Sequence, residues 1–253
     1  MPPAEVLIQI GYAAAVSAAA LLFAWPWRER GSAAPVAIGV GAAAGLVALR
    51  GFPAFWPLDA TELLFHFALL GAAIGVVETS PRVSTAVRGG LGGLAVAGSA
   101  WAILRTVDPA WRIALVAAGF LVAWSALRWR VGRVEGYGVP LVLMIVAGAG
   151  AKALEYGSSG LLAQTALALA AATAPLVVYA VLRPRLSLAR GGVTAFTLVA
   201  LSLWTCGARF ANLPLESAAL LAVAPLAAQR RAWVGALVAT AASGFAVYLA
   251  YAA

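Results

Sequence analysis

From its first residues the chain alternates long apolar runs with short polar breaks. Runs long enough to cross a bilayer fall at about residues 6–26, 34–50, 61–77, 89–105, 111–127, 139–154, 161–182, 193–209, 214–229 and 232–251. A hydrocarbon core about 30 Å thick needs roughly 20 apolar residues of helix, so several of these runs sit near the short limit. The apolar residues are continuous within each run and do not alternate with polar ones, which predicts helices and not the strands of a membrane barrel. The expected fold is an all-α, polytopic integral membrane bundle of about ten transmembrane helices, one transmembrane domain over residues 1–253. The other partition merges the short eighth and ninth runs.

The charges in the breaks test that count. Twelve of the 17 basic residues (Arg28, Arg30, Arg82, Arg88, Arg128, Arg130, Arg133, Arg183, Arg185, Arg190, Arg230 and Arg231) fall in one alternating set of breaks. The other five (Arg50, Arg105, Arg112, Lys152 and Arg209) fall in the second set. Basic residues mark the cytoplasmic side, so this partition puts both termini outside. A miscount by one helix would mix the two sets from that point on. Trp25, Trp27, Trp129 and Trp233 then lie near the inner boundary, and Trp56, Trp111, Tyr156, Phe210 and Tyr251 near the outer one, as interfacial anchors do. Trp101, Trp124 and Trp204 fall within helices.

Composition changes the picture only by exclusion. With 64% hydrophobic and 10% charged residues, and a mean hydropathy of +0.96, the chain is too apolar for a soluble domain, which carries about 25% charged residues. The net charge of +8 does not point to nucleic acid, because the arginines come in twos and threes between apolar runs and build no cationic face. The partner expected is the lipid bilayer, with other membrane subunits or a homo-oligomer left open. Sixteen arginines to one lysine, amid abundant Ala, Gly, Val and Pro, fit a GC-rich genome and a bacterial cytoplasmic membrane. The N-terminal run lacks a positive flank, carries Glu5 and exceeds a signal-peptide core of about 7–15 residues, so it reads as a retained first helix.

Small residues supply the packing. Gly41 and Gly45, Gly89 and Gly93, and Gly148 with Gly150 predict close helix approach by the second, fourth and sixth helices. A faint repeat runs alongside: Arg50 precedes Asp59 and Glu62, Arg105 precedes Asp108, Lys152 precedes Glu155, and Arg209 precedes Glu216. Tandem two-helix hairpins would produce it. So, in part, would ordinary helix starts, since Asp59 with Glu62 three residues on is a capping-box pattern and Ser217 stands beside Glu216.

Candidate chemistry centres on the longest outer turn, Arg50 to His66, which brings Asp59, Glu62 and the sole histidine to the mouth of the third helix. Glu62 and His66 are four residues apart on one helix face, where a carboxylate beside an imidazole could relay protons. The structural alternative makes Asp59 the helix cap, Glu62 its completion, and His66 a partner of a neighbouring helix. Lys152 and Glu155 are spaced to pair across one turn, either as a reactive lysine or as a snorkelling one neutralised by its neighbour. Arg209 suits a carboxylate or phosphate ligand by its fork geometry, or else pairs with Glu216. Pro175 and Pro225 are candidate helix breaks that could free carbonyls for an ion or substrate.

No catalytic, cofactor or metal site is expected. Tyr156 to Gly160 reads YGSSG, which resembles the glycine–serine run of rhomboid intramembrane proteases and would imply Ser159 as nucleophile. The only histidine, His66, lies upstream of it where rhomboids place their base downstream. One His and one Cys (Cys206) also rule out HExxH and cysteine-based sites, and no GxxxxGK[ST] loop is present. Ten helices in this length match the gross size of small drug and metabolite exporters built from two inverted five-helix halves. Residues 6–128 and 138–251 show no similarity to carry that analogy further. The leading expectation is a small-molecule or ion transporter or channel, with the candidate residues meeting at one internal cavity. The alternative is a non-catalytic membrane subunit or scaffold, with the same residues on separate surfaces.

Overall fold

The computed structural model describes residues 4–23, 33–53, 59–184, 186–189, 191–229 and 231–253. Trp25, Trp27, Arg28, Arg30, Trp56, Arg185, Arg190 and Arg230 lie outside the described residues, as does the side chain of Glu5. The helices are α1 (Ala4–Phe23), α2 (Ala33–Arg50), α3 (Glu62–Thr79), α4 (Thr85–Leu104), α5 (Ala110–Val131), α6 (Gly138–Tyr156), α7 (Gly160–Leu182), α8 (Gly192–Phe210), α9 (Leu215–Val223) and α10 (Ala232–Ala252). No strand occurs among the described residues. This is the all-α bundle the apolar runs predict, because a run with no water to bond must satisfy its backbone within its own helix.

Nine of the described helices are long and apolar enough to cross a membrane, and the ninth run adds one shorter apolar helix, in keeping with the expected bundle of about ten. The ninth run forms only α9 and a 3₁₀ turn, Ala224–Ala227, with Pro225 at its start. Proline has no N–H to return to the carbonyl of Leu221, so the α-helix stops before it. Pro225 is therefore a helix break, and it ends the α-helix outright. From Leu215 to Ala227 the segment reaches roughly 20 Å at 1.5 Å per residue, short of a hydrocarbon core. Beyond it the Ala228 carbonyl, freed from any helix, accepts from Arg130 Nε at 2.8 Å. Pro175 behaves differently: α7 continues through it unbroken. One turn earlier, the Ser17 hydroxyl of α1 donates to the Ala172 carbonyl at 2.7 Å.

The axis of the bundle is α8, of which 78% is buried, against 22% for α5 and α10. It packs most on α3, then on α2 and α4, and also touches α5, α6, α7 and α9. Around it, α1 packs on α2 and α7, α6 on α7 and α10, and α4 on α5. The two sequence halves meet through α2 on α7 and α3 on α8, yet α6 lies along α10 while α1 has no comparable packing on α5. The inverted five-helix plan is thus at most half realised.

Glycines set the closest approaches, although not all of those expected. A Cβ on Gly45 would stand 2.6 Å from that of Ala168, and one on Gly41 would stand 2.8 Å from Ser17 and 2.9 Å from Ala172. The α2 pair therefore lets α1 and α7 close in together, as the GxxxG spacing predicts. Gly89 and Gly148 face open space, so the second pair and half of the third do no such work. In their place Gly92 backs onto Glu78 and Trp124, and Gly150 onto the ring of Trp204. Trp124 and Trp204 are buried core residues, whereas Trp101, Trp111, Trp129 and Trp233 are exposed on the bundle's flanks.

The breaks segregate into two ends. Contacts of Arg128 with Glu78, Arg130 with Ala228, and the Gly136 N–H with the Leu186 carbonyl gather one set of connections. Cys206 with Ala60, Arg209 with Asp108, and Tyr156 with Tyr251 gather the other. Both sets match those into which the basic residues divide the chain.

Candidate functional site

The predicted residues do not converge on one internal cavity; they occupy three separate places at one end of the bundle. At the first, α2 ends on Arg50, and Gly51, with φ of +78°, turns the chain away in a conformation that costs glycine nothing. The chain returns at Asp59, whose Oδ1 accepts from the N–H groups of Thr61 and Glu62, both at 2.7 Å, and from the Thr61 hydroxyl at 2.6 Å. Glu62 Oε2 accepts in return from the Asp59 N–H at 3.2 Å. This is the reciprocal capping box that the spacing predicts. Arg50 Nη1 donates to the Thr61 hydroxyl at 2.7 Å and so ties the end of α2 to the start of α3. Partial burial pushes the Asp59 carboxyl up, but the Thr61 hydroxyl, the two N–H donors and Arg50 outweigh this and hold it below its ordinary value.

Between these elements opens a cavity of about 330 Å³, lined by Arg50, Asp59, Thr61 and Glu62 and walled by Leu46, Phe52, Pro53 and Phe65. His66 stands half-buried beside it, its Nδ1 3.1 Å from the Glu62 main-chain carbonyl and its ring edge-on to Phe65. The hydrogen bond linking His66 to Glu62 thus uses the backbone, an option open to any helical histidine.

The second place is the end of α6, where Lys152 Nζ meets Glu155 Oε2 at 2.9 Å and lies 4.7 Å from the Tyr156 ring. Both charged side chains are about half exposed, which fits a snorkelling pair and not a desolvated reactive lysine. The third place corrects the expected Arg209–Glu216 pair. Arg209 Nη2 instead donates to Asp108 Oδ1 at 2.7 Å, and Arg112 approaches the same oxygen at 3.5 Å. The Asp108 side chain is only 4% exposed and needs a cation, and α8, which ends on Arg209 and Phe210, packs on both α4 and α5. Glu216 is left exposed at the start of α9. Ser159 accepts from the Leu162 N–H and caps α7, which gives the YGSSG run a structural duty.

The most buried charge in the described chain lies at the opposite end and was read from sequence as part of a loop. Glu78, in the last turn of α3, has a fully buried side chain. Its Oε1 is 3.1 Å from Arg128 Nη1 of α5, and its Oε2 accepts from the Thr194 hydroxyl of α8 at 2.9 Å. Thr194 in turn accepts from Trp124 Nε1 at 3.0 Å, and the Gly191 N–H also donates to the carboxylate. Glu78 therefore sits at the N-terminus of α8, where free N–H groups and the helix dipole favour a negative charge. Arg128 stacks over the Trp124 ring at 5.2 Å and reaches outward, 23% exposed.

Three glycines make this burial possible. A side chain on Gly92 would collide with Glu78 Oε1, and one on Gly191 would strike the backbone of Gly75. Gly191 also holds φ of +85°. A usable sequence signal existed: Gly71, Gly75 and Glu78 recur at i, i+4 and i+7, which puts Glu78 on the small-residue face of α3 that meets α8.

These two sites set out what the arrangement can do. One end holds an open, mixed-charge pocket between α2 and α3, and the other holds a sealed ion pair joining α3, α5 and α8. Compared with protein families, curated proteins and solved structures, the chain has no match.

Proposed function

We propose that the chain is a transporter of a small molecule or ion in a bacterial cytoplasmic membrane, with both termini outside and the end that carries the 50–62 pocket facing out. The observation that carries this reading is that α3 bears the open pocket at its first turn, through Glu62 and Phe65, and the buried Glu78 latch at its last. A bundle open at one end and bolted at the other is what alternating access requires of one of its two states. The Glu78–Arg128–Thr194 cluster would close the inner end, and its release would accompany closure of the outer pocket.

The sole native thiol, Cys206, makes the test clean. In a Cys206→Ser background, Phe65→Cys reports on the pocket and Leu188→Cys, buried in the α7–α8 connection, reports on the latched end. Adding Glu78→Gln should raise maleimide labelling of Leu188→Cys and lower that of Phe65→Cys. A rise at both positions would mean general loosening, and no change at either would mean a static bundle; both outcomes end the transport reading.

A second reading, a non-catalytic membrane subunit or scaffold, is favoured by a separate observation. Lys152, Glu155, Arg209 and Glu216 stand at surface positions away from the pocket. The measurement that favours it is native mass spectrometry of the gently extracted protein showing a fixed partner subunit.

A further inference from the structure

Among the described residues, the groups lining the pocket between α2 and α3 leave hydrogen-bonding capacity of both signs. Arg50 carries five N–H donors, and its recorded bond to Thr61 uses one. Among the described residues, the three bonds to the Asp59 carboxylate fall on Oδ1 and the side-chain bond to Glu62 falls on Oε2, which leaves Asp59 Oδ2 and Glu62 Oε1 to accept. The guanidinium and the Asp59 carboxylate are set one hydroxyl apart, because the same Thr61 Oγ1 accepts from one and donates to the other. Neither charge neutralises the other by direct contact. The cavity of about 330 Å³ lies at the small end of ligand sites, which run from about 300 to 1,000 Å³, and its remaining walls, Leu46, Phe52, Pro53 and Phe65, are apolar.

From this juxtaposition we infer that the pocket binds a zwitterion: an ammonium held by Asp59 and Glu62, an oxyanion held by Arg50, and a short apolar body against Phe52 and Phe65. The guanidinium fork suits a carboxylate or a phosphate, each of which accepts two parallel N–H bonds. An acidic pocket without Arg50 would select simple amines, and a lone arginine would select simple anions. The chemistry required is shared by free α-amino acids and by the ethanolamine phosphate headgroup of a lipid, since the pocket opens at the end of the bundle where headgroups lie. The inference rests on the transport reading for its biological sense, and its test is independent of that reading.

The experiment uses the full-length protein in nanodiscs of phosphatidylglycerol, with phenylalanine as the zwitterionic probe, phenethylamine as the ammonium-only probe and N-acetylphenylalanine as the anion-only probe. Phenylalanine should bind saturably, at least tenfold more tightly than either single-charge probe. Arg50→Gln and Glu62→Gln should each weaken it at least tenfold. Glutamine at position 62 keeps an acceptor for the Asp59 N–H, so the cap survives and folding is not the readout. If the ligand is a headgroup, phenylalanine will not bind, but native mass spectrometry of the protein in discs containing phosphatidylethanolamine will show one such lipid retained by the wild type and lost from both variants. Equal binding of a single-charge probe, or retention of neither zwitterion, overturns the inference. Reciprocal cysteine labelling alongside such a result would leave transport standing and discard only the ligand class.

Discussion

Arg128→Met isolates the buried ion pair at the latched end. Methionine keeps much of the side-chain volume beside Trp124 and removes the charge together with the N–H donor to Glu78. Glu78 would keep its bonds from Thr194 and Gly191 but face no cation, with a side chain wholly out of solvent. At the 3.1 Å contact and an effective dielectric of 20, the attraction lost is about 5 kcal/mol before any compensation. Breaking a buried pair from one side costs about 3–5 kcal/mol, and the lower end applies here because Arg128 is 23% exposed and partly screened. Equilibrium unfolding in mixed micelles should therefore place Arg128→Met about 3 kcal/mol below wild type. Glu78→Gln on its own should cost about 1–3 kcal/mol, the range for a buried polar group left with an unmet partner. The double variant should be less impaired than the sum of the two, because the orphaned carboxylate is gone. Additive losses, or a cost below about 1 kcal/mol for Arg128→Met, would refute the claim that Glu78 depends on this arginine.

The glycines offer a contrast within one protein. Gly45→Val should destabilise by about 1–3 kcal/mol or more, as overpacking does, because its Cβ would meet Ala168 at 2.6 Å, while Gly89→Ala should be tolerated in open space; unfolding of both variants checks this. Asp59 predicts an acid limb. Its folded-state carboxyl titrates below the ordinary value of 3.8, so its contribution is complete above that value and is lost as pH falls through the lower, folded one. Unfolding followed down through that range should show the loss in wild type and a shallower limb in Asp59→Asn.

The helices could be read from the chain because membrane burial forces a local answer: each apolar run must satisfy its own backbone, and it does so within itself. The ninth run falls short of a full span because it carries Pro225 near its end, and hydropathy alone does not register a missing N–H. Pairings followed the same division. Asp59 with Glu62 and Lys152 with Glu155 were legible, being three residues apart and governed by helix geometry. Arg209 with Asp108 spans 101 residues, and Thr194 with Glu78 spans 116. Which cation meets which carboxylate at those separations is decided by how α3, α5 and α8 lie together. Proximity along the chain points Arg209 to Glu216 and carries no information on Asp108.

That same division falls within α3, the element on which the proposed transport turns. Its first turn is fixed locally, by a cap it shares with Arg50, and its last is fixed remotely, by groups from α5 and α8. Between them Gly71 lies on Ala195 of α8, Gly75 lies on Pro35 of α2 and the Gly191 carbonyl, and Leu64 and Phe67 are buried in the core. Eighteen residues of helix, about 27 Å long, join the two ends as one continuous element packed on both α2 and α8. Releasing Glu78 would therefore shift Glu62 and Phe65 as well, and a ligand drawing on Glu62 would act back on Glu78. Coupling between the pocket and the latch is what the transport proposal expects of this one helix, and the paired cysteine labelling tests it.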